Sequence, residues 1–147
     1  MSATPLSDFI SAVVADFGPG PLRAFHAAFM TSDLGVQTIG VPADAVGEYR
    51  VAAGDNVRMA QVATPDGRIM VKACADPRVF AQRYNFGINA TISGRRLLDM
   101  VLEVRELEGV LVCSAASAHS IPIGRAEIAE VLRLPPQRSK RPWWKQW

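Results

Sequence analysis

The apolar positions of this chain fall into alternating helical and strand-like runs. Phe9, Ile10, Val13, Val14 and Phe17 recur at helical spacing after Thr4-Pro5, which reads as an N-cap followed by proline at the first helical position. Gly18-Pro19-Gly20-Pro21 stops that helix. A second helix follows, with Leu22, Phe25, Phe29 and Met30 on its inner face and its end near Ser32-Asp33. Gly35–Val41 has the composition of a strand, and Pro42–Gly47 that of a loop. Val57–Ala63 and Arg68–Ala73 are joined by Thr64-Pro65-Asp66-Gly67, and the Asp-Gly pair predicts a tight hairpin.

Downstream, Asp76-Pro77 supplies the N-cap and first position of a short helix running to about Tyr84, which Asn85-Phe86-Gly87 breaks. Ile88–Ile92 is a short apolar run suited to an edge strand. Ser93 caps a helix with Leu97, Leu98, Val101 and Leu102 turned inward. Gly109–Cys113 is continuously apolar, as expected of a central strand covered on both faces. Ile121 and Ile123 bracket Pro122, and a last helix carries Ile128, Val131 and Leu132 before Pro135-Pro136 ends regular structure. The order α-α-β-β-β-α-β-α-β-α predicts an α+β (or α/β) layered domain, with a mixed, mainly antiparallel sheet and helices packed on it. Three parts follow: an N-terminal helix and Gly/Pro linker over 1–20, the α/β domain over 21–134, and a tail over 135–147.

At 147 residues, with 49% apolar and 20% charged residues, the chain has the size and balance of one soluble domain with its own core. Asp8 and Asp16 interrupt the N-terminal apolar stretch, and no basic residue precedes it, so neither a signal peptide nor a membrane anchor is expected. Cys74 and Cys113 are then expected to be reduced thiols in a cytoplasmic protein. Charge is segregated. From Arg133 onward there are five basic residues and no acidic one; removing those five from the net +2 leaves −3 for residues 1–132. The basic balance therefore does not argue for a nucleic-acid-binding domain; at most it argues for a tail that seeks nucleic acid, a membrane or a partner.

Three stretches carry a family resemblance. LRAFHAAFMTSDLGVQTIGVP (22–42) reads as a helix leading into a strand. IMVKACADPRVFAQRY (69–84) runs a strand into an Asp-Pro helix start. GVLVCSAASAHSIPIGRAEIAEVL (109–132) closes the domain. Together, over Leu22–Leu132, they resemble the N-terminal domain of the enhanced serine sensitivity protein B (SseB) family. Cys113-Ser114-Ala115-Ala116-Ser117 stands where that family often has an Asn-Pro-Gly-Ser stretch. The resemblance implies a small α/β accessory or binding domain without established catalytic residues, some relatives being encoded near secretion or toxin systems. It transfers no site residue.

The residues themselves offer few reactive groups. His119 stands near Cys113, Ser114 and Ser117, a composition that could serve nucleophilic catalysis or bind a small ligand. There is no Gly-x-Ser-x-Gly elbow and no placed acid, so a polar loop capped by its own hydroxyls is the expectation. Cys74, Cys113, His26 and His119 form no paired metal motif; neither a metal nor a cofactor is expected. Glu103, Arg105, Glu106 and Glu108 read as a solvated helix end. Trp143, Trp144 and Trp147 are all the tryptophans of the chain, interleaved with Arg138, Lys140 and Arg141. That tail has the composition to fill a groove on its own domain, to anchor in a partner protein, or to rest on an anionic membrane surface. Stacking on single-stranded nucleic acid suits the mildly acidic body least. The sequence thus points to a non-enzymatic protein-binding module whose partner is another protein, such as a toxin or secretion component.

Overall fold

The computed structural model describes residues 3–39 and 58–134. Two helices open the chain, α1 (Pro5–Ala15) and α2 (Pro19–Thr31). Strands β1 (Asp33–Val36), β2 (Thr38–Ile39), β3 (Arg58–Met59), β4 (Gln61–Ala63) and β5 (Ile69–Cys74) follow. Then come α3 (Pro77–Arg83), β6 (Ala90–Ser93), α4 (Gly94–Glu103), β7 (Gly109–Cys113), β8 (Ser120–Gly124) and α5 (Arg125–Leu132). This is an α+β domain. Its six-stranded mixed sheet runs β6-β1-β5-β7-β8, with β4 also paired to β5. β5 and β7 are parallel, in register from Met70↔Gly109 to Cys74↔Cys113. The other pairs in the sheet are antiparallel. The hairpin closes as Thr64–Gly67 predicts. Gly67 adopts φ +84°, a conformation that glycine enters without steric cost, and Thr64 N–H donates to Arg68 O at 2.8 Å.

Side chains alternate across the strands and so sort into two faces. Val71, Ala73, Val110, Val112, Ile121 and Ile123 join Leu6, Ile10, Phe25, Phe29, Leu97, Leu98 and Ile128 in the main core. Helices α1, α2, α4 and α5 thus share one face. On the other face Cys74 packs with Phe80 of α3 and Ala115, flanked by Val79, Phe86, Ile88 and Cys113. The close fit of helix to helix is set at Gly94, where a Cβ would stand 2.0 Å from the carbonyl oxygen of Phe29.

Several boundaries differ from the sequence reading. The Gly/Pro run is not only a stop: α2 begins at Pro19, because a proline at the first position of a helix loses no hydrogen bond. α1 ends at Ala15 rather than Phe17, which is left 80% exposed. Its face toward the core is Leu6, Ile10 and Val13, with Val14 turned outward. Leu102 is likewise exposed on α4. The expected strand over 35–41 divides at Gln37. Thr38 leaves the main sheet and is bonded by the Asn89 side chain, which accepts from Thr38 N and donates to Thr38 O. Positions 40 and 41, and the loop expected over 42–47, lie outside the described residues. The segment around Pro122 is a true strand. It is tolerated because β8 is the sheet edge, where a missing N–H breaks no ladder. β7 is fully buried only on the Val110/Val112 face; Leu111 and Cys113 are half-buried.

Candidate functional site: the groove between α2 and α5

Helices α2 and α5 pack side by side over the core and leave a groove of about 370 Å³ between them. One wall is Pro19, Leu22, Arg23 and His26; the other is Glu127, Glu130, Val131 and Leu134. Each wall follows the i, i+3, i+4, i+7 spacing that gathers residues onto one side of a helix. Both stripes mix apolar and charged residues. The groove is therefore apolar along its walls and ionic at its mouth.

His26 is its most informative member. The residue is only 8% exposed. Its ring lies against Phe25, with centroids 5.7 Å apart. The imidazole Nε2 is buried and has no hydrogen-bond partner among the described residues. The nearest carboxylate oxygen, Glu127 Oε2, stands 3.9 Å away, too far for a hydrogen bond. Burial holds the His26 pKa below its ordinary value, and the Glu127 charge only partly offsets this. A neutral imidazole with a free nitrogen beside a half-exposed carboxylate offers a place for an N–H donor or a cation. A buried polar atom without a partner is uncommon in folded proteins. No sequence motif marks this pair; the two helical stripes, 101 positions apart, could have been found only by knowing that α2 and α5 are neighbours.

The loop over 114–119 is built differently. Ser114 is buried, and its Oγ accepts from Ala116 N at 3.0 Å and Ser117 N at 3.3 Å. Ser7 Oγ accepts from Ala115 N at 2.8 Å, Arg83 Nη1 donates to Ala115 O at 2.9 Å, and Tyr84 OH donates to Ser117 O at 3.2 Å. Ser117 Oγ and His119 Nδ1 do meet, at 3.0 Å, on an exposed surface. Ser114 spends its hydroxyl on the loop backbone, and Cys113 Sγ points back toward Leu111 O at 4.0 Å. The structure therefore brings Ser117 and His119 together and leaves Cys113 and Ser114 out of that pair. The Ser114 and Ser117 bonds close the loop on itself, and those of Ser7, Arg83 and Tyr84 tie it to α1 and the α3 end.

The two cysteines are free and adjacent in register on β5 and β7. Burial pushes the Cys74 thiol up to about 12 and raises Cys113 as well, despite nearby Lys72. Among the described residues no three His, Cys, Asp or Glu side chains cluster as metal ligands, and no helix is long and apolar enough to cross a membrane. Arg138, Lys140, Arg141, Trp143, Trp144 and Trp147 lie outside the described residues. Compared with known proteins, the chain matches no family model, no curated protein and no solved structure.

Proposed function

We propose that the protein is a non-enzymatic protein-binding module of the kind the SseB N-terminal domain suggests, and that its partner sits in the α2–α5 groove. The observation that carries this reading is the buried, unpartnered His26 Nε2 at the base of a groove with apolar walls and charged edges. Interfaces of this make-up anchor a partner's large side chains in the apolar part and fix register through the charges. The acidic balance of residues 1–132 favours a basic partner surface, as on a toxin or a secretion component handled in the cytoplasm. The test is affinity capture with full-length protein and with the full-length Leu22→Arg variant, read by mass spectrometry after circular dichroism has shown both folded. One stoichiometric partner with the native chain, lost with the variant, is the expected result. No such partner, or equal recovery with the variant, overturns the reading.

A further inference from the structure

The groove's far wall ends at Leu134, the last residue of the described region, and the terminal sequence leaves directly from that point. We propose that the α2–α5 groove is the receptor for the chain's own terminal sequence, residues 138–147 (RSKRPWWKQW), which occupies it in place of a partner.

Three features of the groove fit this occupant. The first is charge. Glu127 and Glu130 stand on the α5 wall, and Arg23 is the one cation among the described lining residues. Arg138, Lys140, Arg141 and Lys145 come with no acidic residue among them. The second is apolar area. Pro19, Leu22, Val131 and Leu134 offer the flat walls that indole rings cover well. The third is the open hydrogen-bonding capacity at the base. With its ring proton on Nδ1, His26 Nε2 accepts from a guanidinium, ammonium or indole N–H, and Glu127 Oε2 at 3.9 Å accepts from the same group's neighbouring hydrogen. Arg and Trp carry such donors; an aliphatic segment does not.

Length permits the arrangement. A chain doubling back from Leu134 spans at most roughly 45 Å over residues 135–147. The 8-residue α5 is only roughly 12 Å long. The segment is therefore long enough to traverse the whole groove. A groove filled in this way is closed to other basic segments until one displaces the terminus, so the inference rests on the groove reading above and adds self-competition to it.

Because Trp143, Trp144 and Trp147 are the only tryptophans of the chain, intrinsic tryptophan fluorescence reads this segment alone. The experiment compares the full-length protein with the synthetic peptide 138–147. Full-length protein is expected to emit blue of the peptide and to be quenched severalfold less by iodide, independently of dilution. Glu127→Lys with Glu130→Lys, both at exposed positions, should return emission and quenching to the peptide's values while far-ultraviolet circular dichroism stays native. Leu22→Arg should do the same. Peptide-like emission from the full-length protein overturns the proposal. So does a blue emission that ignores all three substitutions, or one lost on dilution, which places the segment in a second copy. Failure of partner capture with an intact fluorescence response would reject the binding-module reading and keep this one; the reverse outcome does the opposite.

Discussion

The carboxylate of Asp76 accepts a hydrogen bond from Ser7 N at 2.8 Å, and so caps a helix 69 residues earlier in the chain. A second bond, from Leu6 N at 3.3 Å, goes to the other carboxylate oxygen. Thr4, the N-cap of α1, makes no capping bond from its side chain, and Asp76 makes none to its own helix α3. Asp76 pays with a left-handed backbone, φ +48°, unusual for a residue with a Cβ. Ser7 in turn accepts from Ala115 N, so one short chain of bonds ties α1, the β5–α3 junction and the β7–β8 loop together.

Replacing Asp76 should therefore cost stability far from α3. Asp76→Ala is expected to lose about 1–3 kcal/mol, the range for charged hydrogen bonds left unmade. Asp76→Asn should lose less, since its amide oxygen still accepts and Asn tolerates the left-handed region. Asp76→Gly should fall between Asn and Ala, because it removes the acceptor but relieves the backbone. Urea unfolding of the four proteins gives the order; an alanine variant as stable as the native chain would refute the capping role.

A second long-range cap is supplied by Arg125, at the start of α5. Its guanidinium donates to the carbonyls of Val101, Val104 and Leu107 through Nη1, at 2.9–3.0 Å, and to Leu102 through Nη2 at 2.7 Å. Val101 and Leu102 belong to the last turn of α4, whose final carbonyls lack helical partners, and Val104 and Leu107 to the connection that follows; Val101 O and Val104 O also accept from Val104 N and Leu107 N. Arg125→Lys should not substitute, because one ammonium cannot reproduce a planar fork reaching four carbonyls. Both Arg125→Lys and Arg125→Ala should destabilise by about 1–3 kcal/mol. Amide hydrogen exchange should rise first at the last turn of α4 and over 104–107. Unchanged protection there would remove Arg125 from this role.

These two residues show where the sequence could be read and where it could not. Hairpin, caps and core faces follow local rules: Asp66-Gly67 makes its turn, Ser93 Oγ accepts from Arg96 N, and Leu97, Leu98 and Val101 face inward. Asp76-Pro77 also obeys a local rule, and its helix forms, but the carboxylate serves a helix that only the tertiary fold brings near. The same limit hides the groove. His26 and Glu127 are each unremarkable in their own stretch, and only the packing of α2 beside α5 creates their relationship. Ser117 and His119 were legible as neighbours because they are two positions apart.

The paired thiols should be chemically quiet. Cys74 is fully buried and its pKa is pushed up to about 12, by burial first and then by Cys113. At pH 8 a thiol with that pKa is ionised in about one molecule in ten thousand, and the thiolate is the reactive form. Native protein should thus react with iodoacetamide orders of magnitude more slowly than unfolded protein, with the half-buried Cys113 reacting ahead of Cys74. Mass spectrometry of timed aliquots distinguishes the two sites. Labelling of Cys74 in native protein at the unfolded rate would contradict its burial.

His26 sets the expected response to acid. Its pKa in the folded chain lies below the ordinary value of 6.5, mainly because burial disfavours the imidazolium. As pH falls through 6.5 the unfolded chain takes up this proton and the folded chain does not. The unfolded state then binds more protons, so stability decreases as pH falls. The loss begins near 6.5 and levels off below the lowered folded-state pKa; above about 7 both states are neutral and His26 contributes no slope. Thermal unfolding measured from pH 7.5 to 5 should show this decline, and His26→Gln, which cannot titrate, should flatten it. Glu127→Gln removes the one charge that raises the His26 pKa, so it should steepen the decline and move the His26 ring-proton titration to lower pH in NMR. A native protein whose His26 titrates at or above 6.5 would show that the buried Nε2 already has a partner, and would take with it the argument that the groove offers an open hydrogen-bonding position.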